Sequence, residues 1–483
     1  MSSMSTLRVA KNIGHLAAAS ALVAIGAASP TRAAVVISSG ATKNIACASG
    51  VCTPTAKFAV LNVGQLESLL ASGKVKVTTG GARASDITVT AALSWASSNR
   101  LALTAYRSIT INRAVAVNGT GALLLVTNNG GTGGALSFGP QGHVKFLSTA
   151  NNLTINGVAY TLVADTTTLA SDIASNPGGD FALASDYNAT GNPSFVITTF
   201  TGSFEGLGNA ISNLSLVASN DNFGLFAQLG SGGAITDVRL TTSAISGGTQ
   251  AIGALVGSNE GYLAGDSTSG TLGVTEEAGG GLAGINQGTI VDCSSTIKVS
   301  ADAKRNNAVI GGLVGLNGPG GTIDSSYASG HVTSKEQDAD GGLVGSNEGS
   351  ISNSYSTGSV TGVVDVGGLV GINSFAAGTT RGLISNFYST GAVNGGSGST
   401  VGGSIGEDAQ PGGVTTSYWD MTTSGITNPA QGAGNVNNDP GITGLTTAQL
   451  QAGLPSGFDP TIWGESPSIN GGLPYLLALP PPA

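Results

Sequence analysis

Short apolar stretches flanked by glycine recur along the second half of the chain. Each is followed by a polar turn and a second short apolar run, and the unit repeats every 26 to 35 residues. Such a period predicts a solenoid, because each unit is too small to bury its own core and must stack on its neighbours. The anchor position after the glycines is Leu225, Leu255, Leu282, Leu313, Leu343, Leu369 and Ser404.

Within each unit the pattern predicts short strands joined by corners. An isoleucine opens the second run, and the residue three positions later is again small or apolar. Two residues three apart face the same side of a strand only if the strand bends between them. Asn and Asp tolerate such bends, and they often lie between the two. The isoleucines are Ile290, Ile323, Ile351 and Ile384, the later residues are Cys293, Ser326, Ser354 and Phe387, and the bend residues are Asn213, Asp237, Asp292, Asn353 and Asn386.

Two further columns of like residues are expected when the units stack. Strands in a sheet lie about 4.8 Å apart, so equivalent side chains of successive coils come into contact. Amides at such a spacing can hydrogen-bond to one another as a ladder. The predicted amide ladder is Asn259, Asn286, Asn317, Asn347 and Asn373, and the predicted stacked tyrosines are Tyr327, Tyr355, Tyr388 and Tyr418.

Outside the clear repeats, strands and three short helices are predicted. Residues 86–127 alternate in short runs such as "ITVTA" and "LLLVT", which are typical of strands separated by turns. Asn62 is expected to cap a helix that ends at Gly73. A second helix should cover "TTTLASDIASNPGG", and a third should run from the N-cap Thr446 to a C′ residue at Gly453.

The chain therefore divides into five predicted parts. Residues 421–483 are interpreted as a cap over the open end of the last coil, because uncovered solenoid ends aggregate. The parts are a signal peptide at 1–33, an N-terminal segment at 34–56, N-terminal coils at 57–200, the repeat coils at 201–420 and the C-terminal cap at 421–483.

The composition agrees with a turn-rich β protein. Of the 483 residues 77 are glycine, 40% are hydrophobic and only 9% are charged. So little charge argues against disorder, and the absence of a three-residue glycine period excludes collagen. The net charge of −9 is expected to become −12 after loss of residues 1–33, which contain three basic and no acidic residues. An acidic surface repels phosphate, so nucleic acid is not expected as a partner.

The N-terminus predicts export. Arg8 and Lys11 precede a short apolar run that ends at Ala28, and small residues precede a cut after Ala33. No later run is long enough to span a membrane. In an oxidising compartment Cys47 and Cys52 are expected to form a disulfide that closes a small loop. Cys293 is expected to be buried as a small hydrophobe.

The repeat resembles a known family. The string "GGLVGSNEGSISNSYSTGSVTG" from Gly341 is similar to the GLUG repeat of filamentous-haemagglutinin-like exoproteins, and "FTGSFEGLGNAISNLSL" and "GLTTAQLQAGLPSGFDPTIWG" resemble the flanks of such arrays. The resemblance implies an all-β right-handed parallel β-helix, secreted or on the cell surface. Such exoproteins usually carry a secretion domain for an outer-membrane transporter. Here the signal runs almost directly into the middle segment, so the periplasm is expected if no export partner exists.

Candidate catalytic chemistry is sparse. His143 and His331 lie in no recognisable triad, so both are interpreted as ordinary solenoid residues. No cofactor or metal site is predicted. Sugar cleavage would need two carboxylates in one cleft. The carboxylates considered for it are Asp237, Asp292, Asp324, Asp338, Asp340 and Asp365.

The predicted function is therefore non-enzymatic. A repetitive surface would serve for adhesion to a host, cell or glycan surface, through a receptor that the sequence does not identify. The alternatives are a carbohydrate-active enzyme on the same fold and a passive stalk. Binding spread over several coils without turnover would favour adhesion, whereas loss of activity on replacement of a single Asp would favour the enzyme.

Overall fold

The computed structural model describes residues 33–81, 83–218, 220–275, 277–302, 308–335, 339–374, 382–409 and 411–481. Apart from Ala33, the predicted signal peptide lies outside these residues. The described chain consists mainly of short strands, with helices at Val63–Ser72, Thr166–Ser175 and Thr447–Leu450 and a 3-10 turn at Asn470–Gly472. The longest of these helices has ten residues, too few to cross a bilayer.

From residue 158 onward the chain winds into stacked coils, which we call the second stack. Each coil contributes strands to neighbouring parallel sheets, and each strand pairs with its counterpart in the next coil. The first sheet holds Asn222–Phe223, Ala251–Gly253, Ala278–Gly280, Val309–Gly311, Ala339–Gly341, Asp365–Gly367 and Thr400–Gly402. The second holds Phe226–Leu229, Val256–Asn259, Ala283–Asn286, Val314–Asn317, Val344–Asn347, Val370–Asn373 and Ile405–Asp408.

The remaining strands of these coils form three adjoining rows. The first row holds Val158–Val163, Asp180–Leu183, Ser203–Glu205, Ala234–Thr236, Tyr262–Ala264, Thr289–Val291, Thr322–Asp324, Ser350–Ser352, Leu383–Ser389 and Val414–Asp420. The second holds Tyr187–Asn188, Ala210–Ser212, Arg239–Gly247, Ser267–Val274, Ser294–Ser295, Tyr327–Ala328, Tyr355–Ser356 and Ile442–Leu445. The third holds Ser215–Ala218, Lys298–Ala301, Val332–Ser334, Val360–Gly362 and Val393–Gly395.

The N-terminal part forms the first stack, which has its own core. Its sheets pair in parallel except at one hairpin, and the strand runs predicted over residues 86–127 are confirmed. One sheet orders Leu136–Phe138, Ile109–Ile111, Asp86–Val89, Ala34–Ser38 and Ala59–Asn62, and another orders Val144–Phe146, Val115–Val117 and Leu93–Trp95. The third contains Ile45–Ala48, Val51–Pro54, Val75–Thr78, Arg100–Thr104, Ala122–Val126 and Asn152–Ile155.

The two stacks meet at an antiparallel hairpin that the sequence analysis did not predict. Asn152–Ile155 pairs antiparallel with Val158–Val163, and both residues of the intervening turn have positive φ, 49° at Asn156 and 84° at Gly157. The hairpin reverses the strand direction, and most buried residues before and after it belong to separate clusters. Leu162, Ala182, Ala184 and Leu207 follow the hairpin but pack with the N-terminal cluster. The antiparallel pairing lies near residue 157, whereas the predicted division between the N-terminal coils and the repeat coils lies at residue 200.

The N-terminal end of the first stack is closed by a chain reversal. Ala59–Asn62 pairs on the outer side of Ala34–Ser38 instead of following it in the stack. The helix Val63–Ser72 then buries Leu66 and Leu70, and the Asn62 side chain accepts a hydrogen bond from the Gln65 amide as predicted. Residues 59–72 thus belong to a terminal cover, whereas the sequence analysis placed coils from residue 57 onward.

The third helix is shorter than predicted. Thr446 caps it in a capping box with Gln449, as expected, but the helix ends at Leu450 with Gln451 as the C-cap. Gly453 lies beyond the helix at φ 147°, exposed, with no atom near its Cβ position. Its last residue, Leu450, is buried, and the three residues after it are exposed.

Glycines allow close packing between the two sheets that contain Val309–Gly311 and Val314–Asn317. A Cβ on Gly311 would lie 2.0 Å from the Val314 carbonyl oxygen, and one on Gly315 would lie 2.7 Å from the Gly279 amide nitrogen. Both atoms belong to the backbone and cannot move aside cheaply. The "GGLVG" core of each repeat therefore encodes a thin corner where backbone packs on backbone.

The predicted bends are left-handed, and they turn both flanking residues into the core. Asp237, Asn353 and Asn386 have φ of 56°, 44° and 54°, a region that Asn and Asp reach more readily than most residues. Ile351 and Ser354 on either side of one bend are both buried. Cys293 is also buried, as predicted.

The C-terminal part does not simply cover the open end. Residues 421–445 continue the stack, since Ile442–Leu445 pairs in parallel with Val414–Asp420 and the Ile405 amide donates to Gly432. Residues 454–481, which we call the returning segment, then fold back beside tyrosines of earlier coils. The cap predicted for 421–483 is thus divided into a last coil and a segment that packs on the side of the stack.

Candidate functional site

The five predicted asparagines form a continuous hydrogen-bonded row inside the stack. All five are fully buried, and each pairs in register with the next coil. The Nδ2 atom of Asn259 donates to Oδ1 of Asn286 at 2.7 Å, and the later links measure 2.8, 2.8 and 3.0 Å through Asn317 and Asn347 to Asn373. Because every amide both donates and accepts, the row satisfies polar groups that would be costly to bury alone.

The row ends on a pair of buried acids. Asn373 Nδ2 donates to Oδ1 of Asp408 at 3.1 Å, and Asp408 is hydrogen-bonded to Asp439 of the last coil. Burial, together with the hydrogen bond and the charge of Asp408, raises the pKa of Asp439 to about 7. Asn435 also bonds the Asp408 backbone in both directions, so the last coil is tied to the end of the amide row.

Three of the four predicted tyrosines stack on the outside of the coils. Tyr327 and Tyr355 have ring centroids 4.8 Å apart at 10°, and Tyr355 and Tyr388 have centroids 5.0 Å apart at 6°. Tyr418 pairs in register with Tyr388, but its ring packs edge-on against Phe458 at 5.7 Å. We call these four residues the tyrosine column. The returning segment covers it, so the column is not an open surface.

An exposed polar surface runs along the third row of strands. Buried valines alternate there with exposed side chains, as in Val299 beside Lys298 and Val332 beside His331. The exposed residues in register from coil to coil, which we call the polar face, are Ser300, Thr333, Thr361 and Asn394.

An open depression lies at one side of the polar face. Its volume is about 350 Å³, and its lining includes Ser300, Thr333, Asp302 and Lys335. Lys335 Nζ lies 3.9 Å from Asp302 Oδ1, with both side chains largely exposed. His331 Nδ1 is 2.8 Å from Ser359 Oγ in the next coil. The face therefore offers hydroxyl, amide and charged groups at the spacing of the strands.

Four acids from successive coils meet at one corner of the second stack. We call Glu205, Asp237, Asp266 and Asp292 the acidic corner. Glu205 and Asp266 are buried, and Asp237 and Asp292 are half-buried. The Leu207 amide and the Thr236 hydroxyl donate to the Glu205 carboxyl at 2.8 and 2.9 Å, and the Val238 amide donates to Asp266 Oδ1 at 2.9 Å.

Burial dominates the electrostatics of the acidic corner. It raises the pKa of Glu205 and of Asp292 to about 7, with Asp324 adding to the rise at Asp292. It also raises the pKa of Asp237 and Asp266, and the Glu205 charge adds to both rises. Arg239 lies close enough to oppose the rise at Asp237, but its guanidinium is hydrogen-bonded to the Gly139, Pro140 and Gly142 carbonyls.

The carboxylates considered from the sequence are only partly brought together. Asp237 and Asp292 lie at the same corner two coils apart, and Asp324 lies in the coil after Asp292. Asp324 accepts hydrogen bonds from Ser352 and Asn353. Asp340 and Asp365 lie on another sheet, and Asp338 lies outside the described residues. Within the described chain, no three His, Cys, Asp or Glu side chains are grouped as metal ligands.

The cysteines and histidines occupy separate places. Cys47 and Cys52 are joined by a disulfide across the hairpin of Ile45–Ala48 and Val51–Pro54. Cys293 Sγ donates to the Val291 carbonyl at 3.2 Å, and burial raises the pKa of its thiol. His143 is half-buried, and burial lowers the pKa of its imidazole.

Sequence reasoning missed Glu205, Asp266 and the contact role of Trp463. Asp266 stands in the column of Cys293, Ser326 and Ser354, so aligning the weak repeat around Gly265 would have found it. Glu205 is in register with Thr236. Trp463 lies far along the chain from the tyrosines that it contacts, and no local pattern indicates such a contact.

Part of the chain matches a described motif. Residues 341–361 match the family model of the GLUG motif. Halomucin from Haloquadratum walsbyi (strain DSM 16790 / HBSQ001) is 34% identical over 181 residues, which is 36% of this chain and 2% of halomucin. The chain therefore spans only a small fraction of that relative.

Two solved structures match part of this chain at low similarity. An IgA1 protease matches with a TM-score of 0.41 and 22% identity over 53% of this chain and 21% of its own length. A protein from Bacteroides ovatus, assigned by name to the immunoglobulin A1 proteases, matches with a TM-score of 0.42 and 19% identity over 66% of this chain and 93% of its own.

Proposed function

We propose that the chain is an exported, non-enzymatic surface protein that binds hydroxyl-rich glycans along the polar face. In this proposal the two stacks are right-handed parallel β-helices that act as a rigid support. The observation that carries it is the register of Ser300, Thr333, Thr361 and Asn394, which repeats an exposed polar group in four successive coils. The GLUG motif at residues 341–361 and the similarity to halomucin support a location outside the cytoplasm.

The geometry of the face suits a long ligand. Side chains in register lie at the strand spacing of about 4.8 Å, so a polymer could contact several coils with the same type of group. Each hydroxyl contributes little alone, since a net hydrogen bond is worth about 1 kcal/mol. Affinity would then come from several weak contacts along one chain of sugars.

A glycan array and targeted variants test the proposal. The full chain should bind a restricted set of polysaccharides, and Thr333→Val and Thr361→Val should each weaken that binding several-fold. Thr53→Val is the matched control, because Thr53 is an exposed threonine on the N-terminal hairpin. Binding by both face variants equal to that of the wild type, or binding to no polysaccharide, would refute the proposal.

A carbohydrate-active enzyme is the second candidate, and the acidic corner is the observation in its favour. Glu205 and Asp237 lie in neighbouring coils, and both are held toward their protonated forms by burial. A glycosidase needs one protonated and one ionised carboxyl. This pair would supply both if Glu205, with a pKa of about 7, ionises while burial keeps Asp237 protonated. Reducing ends released from a panel of polysaccharides, and lost in Asp237→Asn, would favour this candidate over adhesion.

A further inference from the structure

We propose that the tyrosine column is an interaction surface for a second copy of this chain, which inserts its returning segment in place of the one already there. Two copies would thereby exchange residues 454–481. The contacts seen within one chain show which chemistry the surface accepts, because the occupant is the chain's own sequence. Exchange of an identical element is a low-cost route to association, since no new contact has to be created.

The surface is apolar only where the returning segment lies. The tyrosines continue a register column whose preceding members are Ser294 and Ser267. The change from serine to tyrosine begins at Tyr327, the first coil that the segment covers. A column of aromatic edges on the outside of a sheet needs a cover, since an open apolar patch favours association.

The interface is separate from the main core. Tyr327, Tyr355 and Tyr388 form a cluster with Phe458, Trp463 and Leu476, whereas the neighbouring Ala328 belongs to the core of the stack. The stack can therefore keep its buried residues when the segment leaves. The segment also has internal structure, because Trp463–Gly464 pairs antiparallel with Tyr475–Leu476.

Trp463 is the central contact. Its ring lies 6.0 Å from Tyr355 and 5.9 Å from Tyr388, at 52° and 57° to their planes, and Phe458 stacks behind it at 4.5 Å. Such tilted aromatic contacts contribute about 0.5–1.5 kcal/mol each beyond burial. The indole thus rests on the edges of the stacked rings, a geometry that an aromatic side chain from another chain can reproduce.

The contact between the returning segment and the tyrosine column does not give every buried polar group a hydrogen bond. Within the part of the chain that the structure describes, the buried Tyr355 Oη and Trp463 Nε1 have no hydrogen-bond partner, although Tyr388 Oη donates to the Pro474 carbonyl at 2.6 Å. Each unpaired buried polar group costs about 1–3 kcal/mol. These costs reduce the difference in free energy between a chain whose returning segment is packed on the tyrosine column and a chain whose segment is released. A small difference of this kind is the condition for exchange.

A short exposed link permits the movement. The helix Thr447–Leu450 is held to the stack, because Thr447 Oγ1 donates to Asp420 Oδ2 at 2.6 Å and Leu450 is buried. Residues 451–453 after it are exposed, and Gly453 has φ 147°. Glycine reaches other φ values at little cost, so this link can redirect the segment away from its own chain.

Complementation between two defective full-length chains tests the exchange. One chain carries Trp463→Ala and keeps an intact column; the other carries Tyr355→Ala with Tyr388→Ala and keeps an intact segment. Mixed in equal amounts, they should form a one-to-one complex with twice the mass of one chain by light scattering. The control replaces the second chain with one that also carries Trp463→Ala, and it should stay monomeric. Folded chains that do not associate, or a control that associates equally, would overturn the proposal.

Hydrogen exchange on the wild-type protein provides a second measurement that does not depend on the variants. The Leu477 amide, which donates to the Ile462 carbonyl at 2.9 Å within the segment, should exchange at least tenfold faster than the Leu343 amide inside the stack, which donates to Leu369 at 2.8 Å. Equal protection of the two amides would show that the segment opens only with the whole stack, and exchange between folded copies would then be refuted.

Discussion

Asn317 donates from Nδ2 to Oδ1 of Asn347 at 2.8 Å, although 30 residues separate the two in the chain. The same bond recurs between every neighbouring pair of the buried amide row. Each asparagine therefore helps to specify the register of its coil, because a slip of one residue would move the asparagine side chain from the interior to the surface. The amide row thus favours one register of the coils over its alternatives.

Asn317→Ala should destabilise the second stack by about 1–3 kcal/mol, because it removes the acceptor of one buried Asn286 hydrogen bond and the donor to the buried Asn347 Oδ1. Urea denaturation followed by circular dichroism measures the change. Asn394→Ala is the control, since Asn394 is exposed on the polar face, and its effect should stay within about 0.5 kcal/mol. Equal effects of the two replacements would contradict a stabilising amide row.

The repeat made the amide row and the bends predictable, because one rule applies at every coil. Asn259 and Asn373 lie at the same offset from their glycines, and Asn353 lies in a left-handed bend where the pattern predicted a corner. The tyrosine stacking followed from the same periodicity, although Tyr418 departs from it by packing on Phe458.

Features that occur once were harder to predict. Asn156-Gly157 is a strong local signal for a two-residue hairpin, yet the regular strand runs around it suggested continued parallel stacking. Glu205 and Asp266 lie in columns whose other members include Thr236 and Cys293. The sequence identifies the two residues as acids, but it does not predict that they are buried. The contact of Trp463 with Tyr355 depends on the path of the chain after the last coil, which no local pattern specifies.

The stability of the second stack should fall as the pH rises from about 4 to about 7. The pKa of Glu205 is raised to about 7 by burial, above the value of about 4.3 expected in the unfolded chain. Between these values the folded state holds a proton that the unfolded state has lost, so deprotonation favours unfolding. Urea midpoints at several pH values measure this slope.

Glu205→Gln separates this contribution from those of the other acids. Its amide keeps an oxygen for the Leu207 amide and a polar group beside the Thr236 hydroxyl, but it cannot ionise. The variant should show a shallower decline between pH 4 and 7 than the wild type, with little difference near pH 4. A decline as steep as that of the wild type would exclude Glu205 as a source of the pH dependence.

Cys293→Ser should be tolerated with a change of about 1 kcal/mol or less, because serine occupies the same inward position at Ser326 and Ser354 in the next two coils. Those hydroxyls donate to the carbonyls of Asp324 and Ser352, as the Cys293 thiol does to Val291. Denaturation midpoints measure the effect. The thiol of the folded wild type should also react with an aromatic disulfide reagent far more slowly than after unfolding, and rapid labelling would contradict its burial.

Gly311→Ala should prevent stable folding of the second stack. The added Cβ would lie 2.0 Å from the Val314 carbonyl oxygen and 2.8 Å from the Gly345 amide nitrogen, and all of these atoms are backbone held in sheet pairing. Relief would require the two sheets to separate at this coil, which would break parallel pairing with the coils above and below.

Gly80→Ala is the matched control, since nothing lies within 4 Å of its Cβ position. Soluble yield and thermal unfolding should show a loss of several kcal/mol for Gly311→Ala, near the upper end for single substitutions of about 4–5 kcal/mol, and almost none for Gly80→Ala. A Gly311→Ala protein as stable as the control would mean that the "GGLVG" corner is not packed backbone on backbone.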